Sequence, residues 1–280
     1  MKLENQNLTL EISLQAAEMH SLVFKATQKE WIWSGDPTYW AQRNPILFPI
    51  IGSTYDKLIH LEDQITTMGN HGFTRHALFK LEKSSPTAIT LSFESTEETL
   101  RQYPYLFKLW VTYTLENDRV VIQYDIENRD TKDMPFSFGL HPAFKTKFNG
   151  SNGTQIVEFP CLEKKLPISI LQESKHQQLH FTDHFFESTP TLILEAIASP
   201  YVTLIELQDQ MSISTTGYRW LAFWKKPQAS FLCIEPWHGH DDFEERKQAF
   251  KDREGTLILQ AGHTFTSSVS LHPHQGETHV

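Results

Sequence analysis

Apolar and polar residues alternate with a period of two along much of this 280-residue chain. The clearest example is the segment Leu109–Leu115, in which every second residue is a large apolar one. Successive side chains of a strand point to opposite faces, so this pattern is typical of a strand with one face in a core. The turn sequence Glu116-Asn-Asp-Arg119 separates it from a second such segment, Arg119–Ile126. Together these segments predict a β-hairpin.

Similar β-branched and aromatic segments recur along the rest of the chain. Residues 1–30 are predicted to form a hairpin that includes the alternating segment Leu8–Ile12. Further strands are predicted at Thr87–Ser95, Leu106–Leu115, Pro135–Leu140, Thr154–Phe159, Thr191–Ala196, Tyr201–Gln208, Met211–Thr215, Arg219–Trp224, Phe231–Ile234, Gly255–Gln260 and Phe265–Leu271. Helical patterns are limited to Thr96–Tyr103 and Asp242–Phe250.

This sequence of elements predicts the fold class. About fifteen short strands with few helices indicate an all-β fold built as a large antiparallel β-sandwich. No repeat or shift in composition marks a boundary, so we expect a single domain over residues 1–280, with 271–280 as a flexible tail. Two prolines in Asn44–Gly52 favour an irregular wall or an edge there, and Gly35-Asp-Pro37 indicates an aromatic-rich loop over Trp31–Trp40.

Composition narrows the classes of partner. The chain has 34 acidic and 25 basic residues, a formal net charge of −9, and no evident basic cluster. This balance disfavours nucleic-acid binding and suits a small neutral ligand. No segment approaches the roughly 18 apolar residues of a membrane helix, and residues 1–30 lack a signal-peptide pattern. With Cys161 and Cys233 expected to be buried free thiols, we predict a soluble, cytoplasmic protein that does not bind membranes.

The segment Phe231–Asp242 carries the strongest candidate chemistry. It begins as an apolar run and ends in a turn rich in carboxylates and imidazoles. Glu235 lies where the predicted strand meets its loop, and partial desolvation there would raise its pKa and suit it to acid–base catalysis. Trp237 can shield it from water.

Other candidates lie in two segments that could face this one, together with a more distant loop. His71 and Arg75 follow glycine-rich sequence, His141 lies in an apolar context before Pro142, and Asp183 lies among aromatic residues. Taken singly, each is more often structural: a turn histidine, a surface arginine, a core histidine and a capping aspartate. The hypothesis is that they form one pocket with Glu235.

Metal and nucleotide cofactors find little support. The sequence His238-Gly-His240-Asp241-Asp242 has spacing found in zinc, iron or manganese sites, but no flanking pattern completes a ligand set. We predict no metal and place these four side chains at the rim or surface. The glycine-rich nucleotide motifs and the Gly-x-Ser-x-Gly motif are absent from the sequence, so no cofactor is expected.

Five short motifs, in their order along the chain, resemble the aldose 1-epimerase (galactose mutarotase) family, and most closely its LacX-like branch. The resemblance extends from about residue 8 to about residue 271, and its motifs are Trp33–Pro37, Leu47–Pro49, His71–Phe73, His141–Phe144 and Glu235–Trp237. It implies the family's supersandwich, a large antiparallel β-sandwich. It also implies interconversion of the α and β anomers of a hexose by acid–base ring opening, without a cofactor.

The resemblance also implies roles for individual residues. The family's general base corresponds to Glu235 and its general acid to His141. Its sugar-contacting histidine corresponds to His71, and the aspartate of its Asp-His-x-Phe segment to Asp183. Trp237 is expected to form a wall of the same pocket.

One departure bears on the substrate. Galactose mutarotases carry an Asn-Arg segment before the first histidine, where this chain has Arg43-Asn44-Pro45, so Arg75 is expected to contact the far end of the sugar instead. A hexose-6-phosphate 1-epimerase stays open, and would need a cationic cluster from Arg43, Arg75 and Lys145. A non-catalytic sugar-binding protein and, last, a metal-dependent enzyme also stay open. Either a monomer or a homodimer is compatible with the sequence.

Overall fold

The computed structural model describes residues 1–61, 64–147, 153–173, 176–242 and 248–276, and these are mostly β-strand. The all-β prediction is confirmed. Within the described residues the strands, in chain order, are β1 (Lys2–Glu4), β2 (Leu8–Ile12), β3 (Met19–Phe24), β4 (Lys29–Glu30), β5 (Ile46–Leu47), β6 (Leu58–His60), β7 (Ile65–Thr67), β8 (Lys80–Ser84), β9 (Ala88–Glu94), β10 (Phe107–Glu116), β11 (Arg119–Asn128) and β12 (Met134–Phe136).

The second half of the chain continues in the same way. Its strands are β13 (Phe138–Leu140), β14 (Ala143–Lys145), β15 (Gln155–Phe159), β16 (Leu171–Glu173), β17 (Gln177–Phe181), β18 (Thr191–Glu195), β19 (Tyr201–Glu206), β20 (Asp209–Ser214), β21 (Trp220–Trp224), β22 (Phe231–His238), β23 (Leu257–Leu259) and β24 (Thr264–Gln275). Two short helices, α1 (Glu97–Gln102) and α2 (Asp183–Ser188), and three 3₁₀ turns at Thr74–His76, Ile168–Ile170 and Phe250–Asp252 complete the elements.

A ten-stranded antiparallel sheet forms one layer, in the order β16-β17-β15-β19-β20-β24-β11-β10-β9-β8. Along β10, buried positions alternate with less buried ones, as the period-two pattern predicted. The β10–β11 ladder closes at Glu116↔Arg119, and Asn117 in the turn has a φ of 54°. This left-handed conformation suits Asn in a two-residue hairpin turn, so the predicted hairpin is confirmed.

A six-stranded sheet forms the second layer, in the order β18-β21-β22-β13-β5, with β14 also paired to β22. Leu232 and Ile234 of β22 share one hydrophobic core with Val111 and Ile122 of the ten-stranded sheet. The opposite face of β22 is also buried, so seven of its eight residues are buried in succession. A strand covered on both faces shows an apolar run rather than alternation.

The hairpin β2–β3 and the edge position of β5 confirm predictions for the first fifty residues. Strands β2 and β3 lie in a four-stranded sheet, β1-β2-β3-β4, and β5 lies at the edge of the six-stranded sheet. A peptide in the cis form joins Phe48 to Pro49 in the irregular segment after β5. The remaining pairs are β6–β7 and β12–β23.

Four predictions about local structure differ from the fold. The strand predicted to end near Glu235 continues to His238, and residues 271–275, predicted as tail, belong to β24 and pair with β20. Residues 183–188, predicted as a loop, form α2, whose N-cap Thr182 accepts a hydrogen bond from Phe185 N–H. Cys161 is exposed, whereas Cys233 is buried as expected, and both thiols are free.

Two further expectations can be compared with the described residues. Helix α1 confirms the pattern at Thr96–Tyr103, whereas most of the second predicted helix lies outside the described residues, at 243–247. None of the helices described is long and apolar enough to cross a membrane.

Candidate active site

A cavity of about 250 Å³ lies on the face of the six-stranded sheet that points away from the shared core. It is smaller than the roughly 300–1,000 Å³ of sites for drug-sized ligands, which suits one small molecule. Five of the six predicted site residues line it. The full lining is Trp40, Gly52, Asn70, His71, Arg75, His141, Thr191, Trp224, Glu235, Trp237 and Asp241.

The register of an interrupted β-ladder places His141 opposite Glu235. Strand β22 pairs with β13 at Gly139↔Trp237 and with β14 at Ala143↔Cys233. These two pairs bracket His141 and Glu235 symmetrically, so the two side chains face each other across the gap on one side of the sheet. Directly opposed residues of an antiparallel pair have close side chains. Two residues 94 positions apart in sequence are therefore brought together by the backbone.

Pro236 explains the interruption of this ladder. Ile234 donates its N–H to Pro142 O (3.2 Å), and Pro236, two residues later, has no N–H to continue the pattern toward Leu140. The Leu140 carbonyl instead accepts a hydrogen bond from the Trp237 indole Nε1 (3.2 Å). The sequence Glu-Pro-Trp thus fixes the Trp237 ring as a cavity wall next to the carboxylate.

The imidazole and the carboxylate approach each other closely. The His141 Nε2 and Glu235 Oε2 atoms lie 3.4 Å apart, and their side chains are 8% and 1% exposed. Among the described residues, neither Glu235 oxygen accepts a hydrogen bond, and His141 Nδ1 also lacks a partner. Buried polar atoms are normally paired, so this concentration of unpaired ones points to a site that binds a polar ligand.

Burial shifts the pKa of each member of the pair toward its neutral form. Desolvation raises the pKa of Glu235 well above its ordinary value, opposed by the Trp237 indole and by the Arg75 charge. Desolvation lowers the pKa of His141 well below its ordinary value, and His71 and Arg75 lower it further. A carboxyl and an imidazole with pKa values shifted in opposite directions are typical of an acid–base pair.

His71 is held as a neutral hydrogen-bond donor. Gly52 N–H donates to His71 Nδ1 (2.9 Å), so the neutral imidazole carries its proton on Nε2. The Gly52 carbonyl in turn accepts the His71 backbone N–H (2.6 Å). Desolvation and the nearby Arg75 charge lower the pKa of His71 to about 3, which keeps the ring uncharged at neutral pH.

Arg75 lies in the 3₁₀ turn Thr74–His76 and connects two loops. Its Nη2 donates to the Gln42 side-chain carbonyl, and its Nη1 lies 3.4 Å from Asn70 O. Gln42 Nε2 in return donates to Arg75 O (3.2 Å). These contacts fix the guanidinium, whose positive charge acts on both Glu235 and His141.

Aromatic rings form much of the wall around His141. Trp40 stacks on the imidazole with ring centroids 4.8 Å apart, and Trp224 meets it edge-on at 5.5 Å. Gly139 leaves room for the Trp237 ring, because a Cβ there would lie 2.6 Å from Trp237 Cδ1. Flat apolar walls of this kind can pack against the faces of a sugar ring.

Asp183 does not line the cavity. It begins α2, forms an ion pair with Lys225 Nζ (2.5 Å) and accepts a hydrogen bond from Gln228 N–H (2.8 Å). Both charged side chains are buried, so this pair has a structural role. The expectation that Asp183 contacts the sugar is therefore not supported.

The turn after β22 also differs from its predicted place at the rim or surface. Asp241 lines the cavity, and Asp242 forms an ion pair with Arg253 in which both side chains are largely buried. His238 is half-buried and lies 3.1 Å from Ser267 Oγ. Within the described residues, the group able to hold a metal ion is a different one: His141, Cys233 and Glu235, whose ligand atoms lie within 4.8 Å of one another.

Six lining residues were not predicted: Trp40, Gly52, Asn70, Thr191, Trp224 and Asp241. Two of them carried a usable signal. Trp40 ends the aromatic-rich loop, and Asn70 directly precedes His71. Thr191 and Trp224 are cross-strand partners on β18 and β21, which only the sheet register reveals.

Two other clefts are larger, at about 380 and 470 Å³. The residues described as lining them include acidic and basic side chains but no histidine. Of these three sites, the 250 Å³ cavity is thus the one whose described lining includes both a histidine and a carboxylate.

Known proteins resemble this chain along most of its length. A family model described as aldose 1-epimerase matches residues 1–272. The chain is 27% identical to the chromosomal protein LacX of Lactococcus lactis subsp. lactis over 276 residues, which cover 90% of this chain and 92% of that protein.

Solved structures give the same result for the fold. A galactose mutarotase-like protein from Lactobacillus casei has a TM-score of 0.88 and 26% identity, and the match covers 98% of this chain and 99% of that one. A galactose mutarotase related enzyme from Lactobacillus acidophilus has a TM-score of 0.86 and 24% identity, covering 98% and 97% of the two chains. The predicted galactose mutarotase-like sandwich is confirmed.

Proposed function

Because the chain belongs to the aldose 1-epimerase family, we propose that it interconverts the α and β anomers of a free hexose, with Glu235 as general base and His141 as general acid. One observation carries this assignment: a carboxylate and an imidazole meet at 3.4 Å in a cavity, and among the described residues neither Glu235 oxygen nor His141 Nδ1 has a conventional hydrogen bond. The family implies a carbohydrate epimerase, and the pair supplies the two proton-transfer groups that such an enzyme needs.

Ring opening requires proton transfer at two oxygens bonded to the same carbon. Glu235 accepts the proton of the O1 hydroxyl, and the O1–C1 bond becomes a carbonyl. The C1–O5 bond breaks with its electrons moving to O5, which takes a proton from His141. Since O1 and O5 are both attached to C1, a base and an acid that lie side by side can reach both.

Reclosure reverses these transfers. The aldehyde turns about its C1–C2 bond and presents its other face to O5. As O5 attacks C1, its proton returns to His141 and O1 takes the proton held by Glu235. Each transfer assisted in this way contributes about 10²–10⁴ in rate.

The pair carries one proton throughout this cycle. The state with charged Glu235 and His141 and the state with both groups neutral have the same net charge, and desolvation favours the neutral one, whereas ring opening starts from the charged one. Gaining a second proton or losing the first leaves a net charge in a desolvated site. Activity is therefore expected to fall at acid and at alkaline pH, with pKa values that belong to the pair.

Arg75 sets the position of this pH profile. Its positive charge lowers the pKa of both Glu235 and His141. An Arg75→Gln variant should therefore shift both limbs of the kcat/KM profile to higher pH, measured by polarimetry across a pH series. Arg119→Gln, which removes an exposed arginine paired with Asp118, is the control and should leave the profile in place. A shift of one limb alone, or toward lower pH, would contradict the assignment.

The cationic side chains favour a free sugar over a phosphorylated one. Arg75 is the cation among the described lining residues, whereas Arg43 contacts Ser34 O and Glu18 and does not line the cavity. Lys145 is exposed and also lies outside the lining. A buried phosphate is normally bound by several charge-assisted hydrogen bonds, which one arginine supplies only in part.

A panel of sugars tests the proposed function. We expect the wild-type protein to accelerate the mutarotation of freshly dissolved α-D-glucose or α-D-galactose, followed by polarimetry, with kcat/KM at least about tenfold higher than for the 6-phosphates. A higher kcat/KM for the 6-phosphates would identify a hexose-6-phosphate epimerase. Sugar binding by calorimetry without acceleration of either class would identify a non-catalytic sugar-binding protein.

A further inference from the structure

Asp241 brings a second carboxylate to the cavity. It lies six residues beyond Glu235 and lines the same space. Its Oδ1 atom is buried and has no hydrogen-bond partner among the described residues. Gly52 admits it, because a Cβ at that glycine would lie 2.0 Å from Asp241 Cβ and 2.8 Å from its Oδ2.

The backbone around Asp241 is fixed on both sides. Asp242 N–H donates to Ser53 O (3.1 Å), and His240 Nδ1 lies 2.7 Å from the Asp241 carbonyl. The same loop residue that admits the side chain, Gly52, also holds His71 through two hydrogen bonds. Asp241 and His71 are therefore positioned together, one as an acceptor and one as a donor.

A fixed acceptor without a donor is suited to a ligand that brings one. Leaving a buried acceptor unpaired costs free energy, which a sugar hydroxyl would recover by donating to it. A phosphate or carboxylate has no proton to donate at neutral pH and would meet a like charge instead. Burial raises the pKa of Asp241, and the neighbouring His240 opposes this rise. The ionisation of Asp241 therefore depends on the charges around it.

Apart from Asp241, the described residues that line the cavity carry a single net positive charge. The Glu235–His141 pair sums to zero while it carries one proton, and His71 is neutral. Arg75 contributes one positive charge, and its guanidinium donates to the Gln42 side-chain carbonyl and lies near Asn70 O. The negative charge of Asp241 thus decides whether the cavity attracts an anionic substrate.

We propose that Asp241 binds the hydroxyl groups of the sugar, in place of Asp183, and that it selects uncharged aldoses over anionic ones. This inference rests on the proposed function, and it assigns the specificity of the site to a residue outside the acid–base pair. The ion pair of Asp183 with Lys225 leaves Asp241 as the carboxylate free to serve the sugar among the described residues of the cavity.

Two variants test the proposal by binding and by kinetics. Binding is measured by calorimetry with 1,5-anhydro-D-glucitol, a sugar analogue that has no O1 hydroxyl and cannot open. Asp241→Ala should weaken its binding by about 10- to 100-fold, the range for a hydrogen bond to a charged group. KM for α-D-glucose should rise by a similar factor, with kcat changed by no more than a few fold.

The conservative variant tests selection by charge. Asp241→Asn keeps one oxygen acceptor but removes the negative charge. The ratio of kcat/KM for D-glucose to that for D-glucose 6-phosphate should fall by about tenfold. Glu94→Gln is the matched control, because Glu94 is exposed, pairs with Arg129 and lies outside the cavity. It removes the same charge and should leave the ratio unchanged.

The outcomes separate this proposal from the proposed function. Binding of the analogue to Asp241→Ala within twofold of wild type would overturn the role of Asp241, whatever the activity. An unchanged ratio in Asp241→Asn, or an equal fall in the Glu94→Gln control, would overturn selection by charge. If wild type binds the analogue, Asp241→Ala does not, and no sugar is epimerised, the binding site stands and the epimerase assignment fails.

Discussion

Replacing Glu235 by glutamine is expected to lower kcat/KM for the mutarotation of α-D-glucose by about 10²–10⁴-fold. Glutamine has the shape of glutamate but cannot take the O1 proton, so the base is removed without opening a cavity. Polarimetry of freshly dissolved sugar measures the loss against the spontaneous rate. Equal acceleration by wild type and Glu235→Gln would remove Glu235 from the mechanism.

Glu206→Gln provides the matched control for this substitution. Glu206 is also fully buried, and burial raises its pKa, but it lies outside the cavity. It accepts a hydrogen bond from Lys147 N–H (2.8 Å) and pairs with Lys29 Nζ at 3.5 Å. We expect Glu206→Gln to keep its activity and to lose stability, because it leaves Lys29 without its charge partner.

Glu235→Gln should instead lose activity and should become more stable, relative to the wild-type protein, as the pH rises. Burial raises the pKa of Glu235, so folding retains a proton that the unfolded chain releases. The wild-type protein therefore loses stability as the pH rises from the unfolded-state pKa through the folded-state pKa, and glutamine does not. The thermal unfolding midpoint of the variant relative to wild type should rise as the pH increases from about 5, just above the ordinary pKa of glutamate. A constant difference would contradict the raised pKa.

Replacing His141 by alanine should give the second large loss, again about 10²–10⁴-fold in kcat/KM, since O5 then leaves without a proton donor. Alanine also leaves a space between Trp40 and Trp224, the two rings that contact the imidazole. Free imidazole is expected to enter this space and to restore part of the activity in a concentration-dependent way.

Chemical rescue distinguishes an acid from a structural histidine. If His141 only supported the Trp40 ring, pyrazole, which has the size of imidazole but is far less basic, would restore activity as well as imidazole does. Glu235→Gln serves as the control, because imidazole has no space to enter there and should not restore its activity. Rescue of both variants to the same extent would indicate catalysis by imidazole in solution.

The fold and the two residues that meet in the cavity, Glu235 and His141, could be predicted from the sequence because their signals are local. The alternation along β10 and the turn at Asn117 depend on a few neighbouring residues. Glu235 and His141 each lie in one of the short motifs on which the resemblance to the family rests. The 3.4 Å distance between them was not accessible in this way, because it depends on the register of three strands around Pro236.

The rest of the site could not be predicted for a different reason. Asp183 and Asp241 are both aspartates in polar turns next to aromatic sequence, and nothing local shows which one faces the cavity. The difference comes from distant partners: Lys225 neutralises Asp183, whereas Gly52 makes room for Asp241. The predicted strand end near Glu235 was wrong. Pro236 interrupts the pairing of β22 with β13 and β14, but the pairing of β22 with β21 continues past it.

The opposed positions of His141 and Glu235 have a consequence for how this scaffold can be altered. Glu235 lies in β22 and His141 in the short link between β13 and β14, which both pair with β22, whereas Trp40 and Asn70 lie in connecting segments and Arg75 in a 3₁₀ turn. Insertions in those segments can change the substrate while the distance between acid and base is preserved. A single-residue insertion between Gly139 and Ala143 would instead turn His141 away from Glu235. Specificity and chemistry can thus be engineered separately on this scaffold.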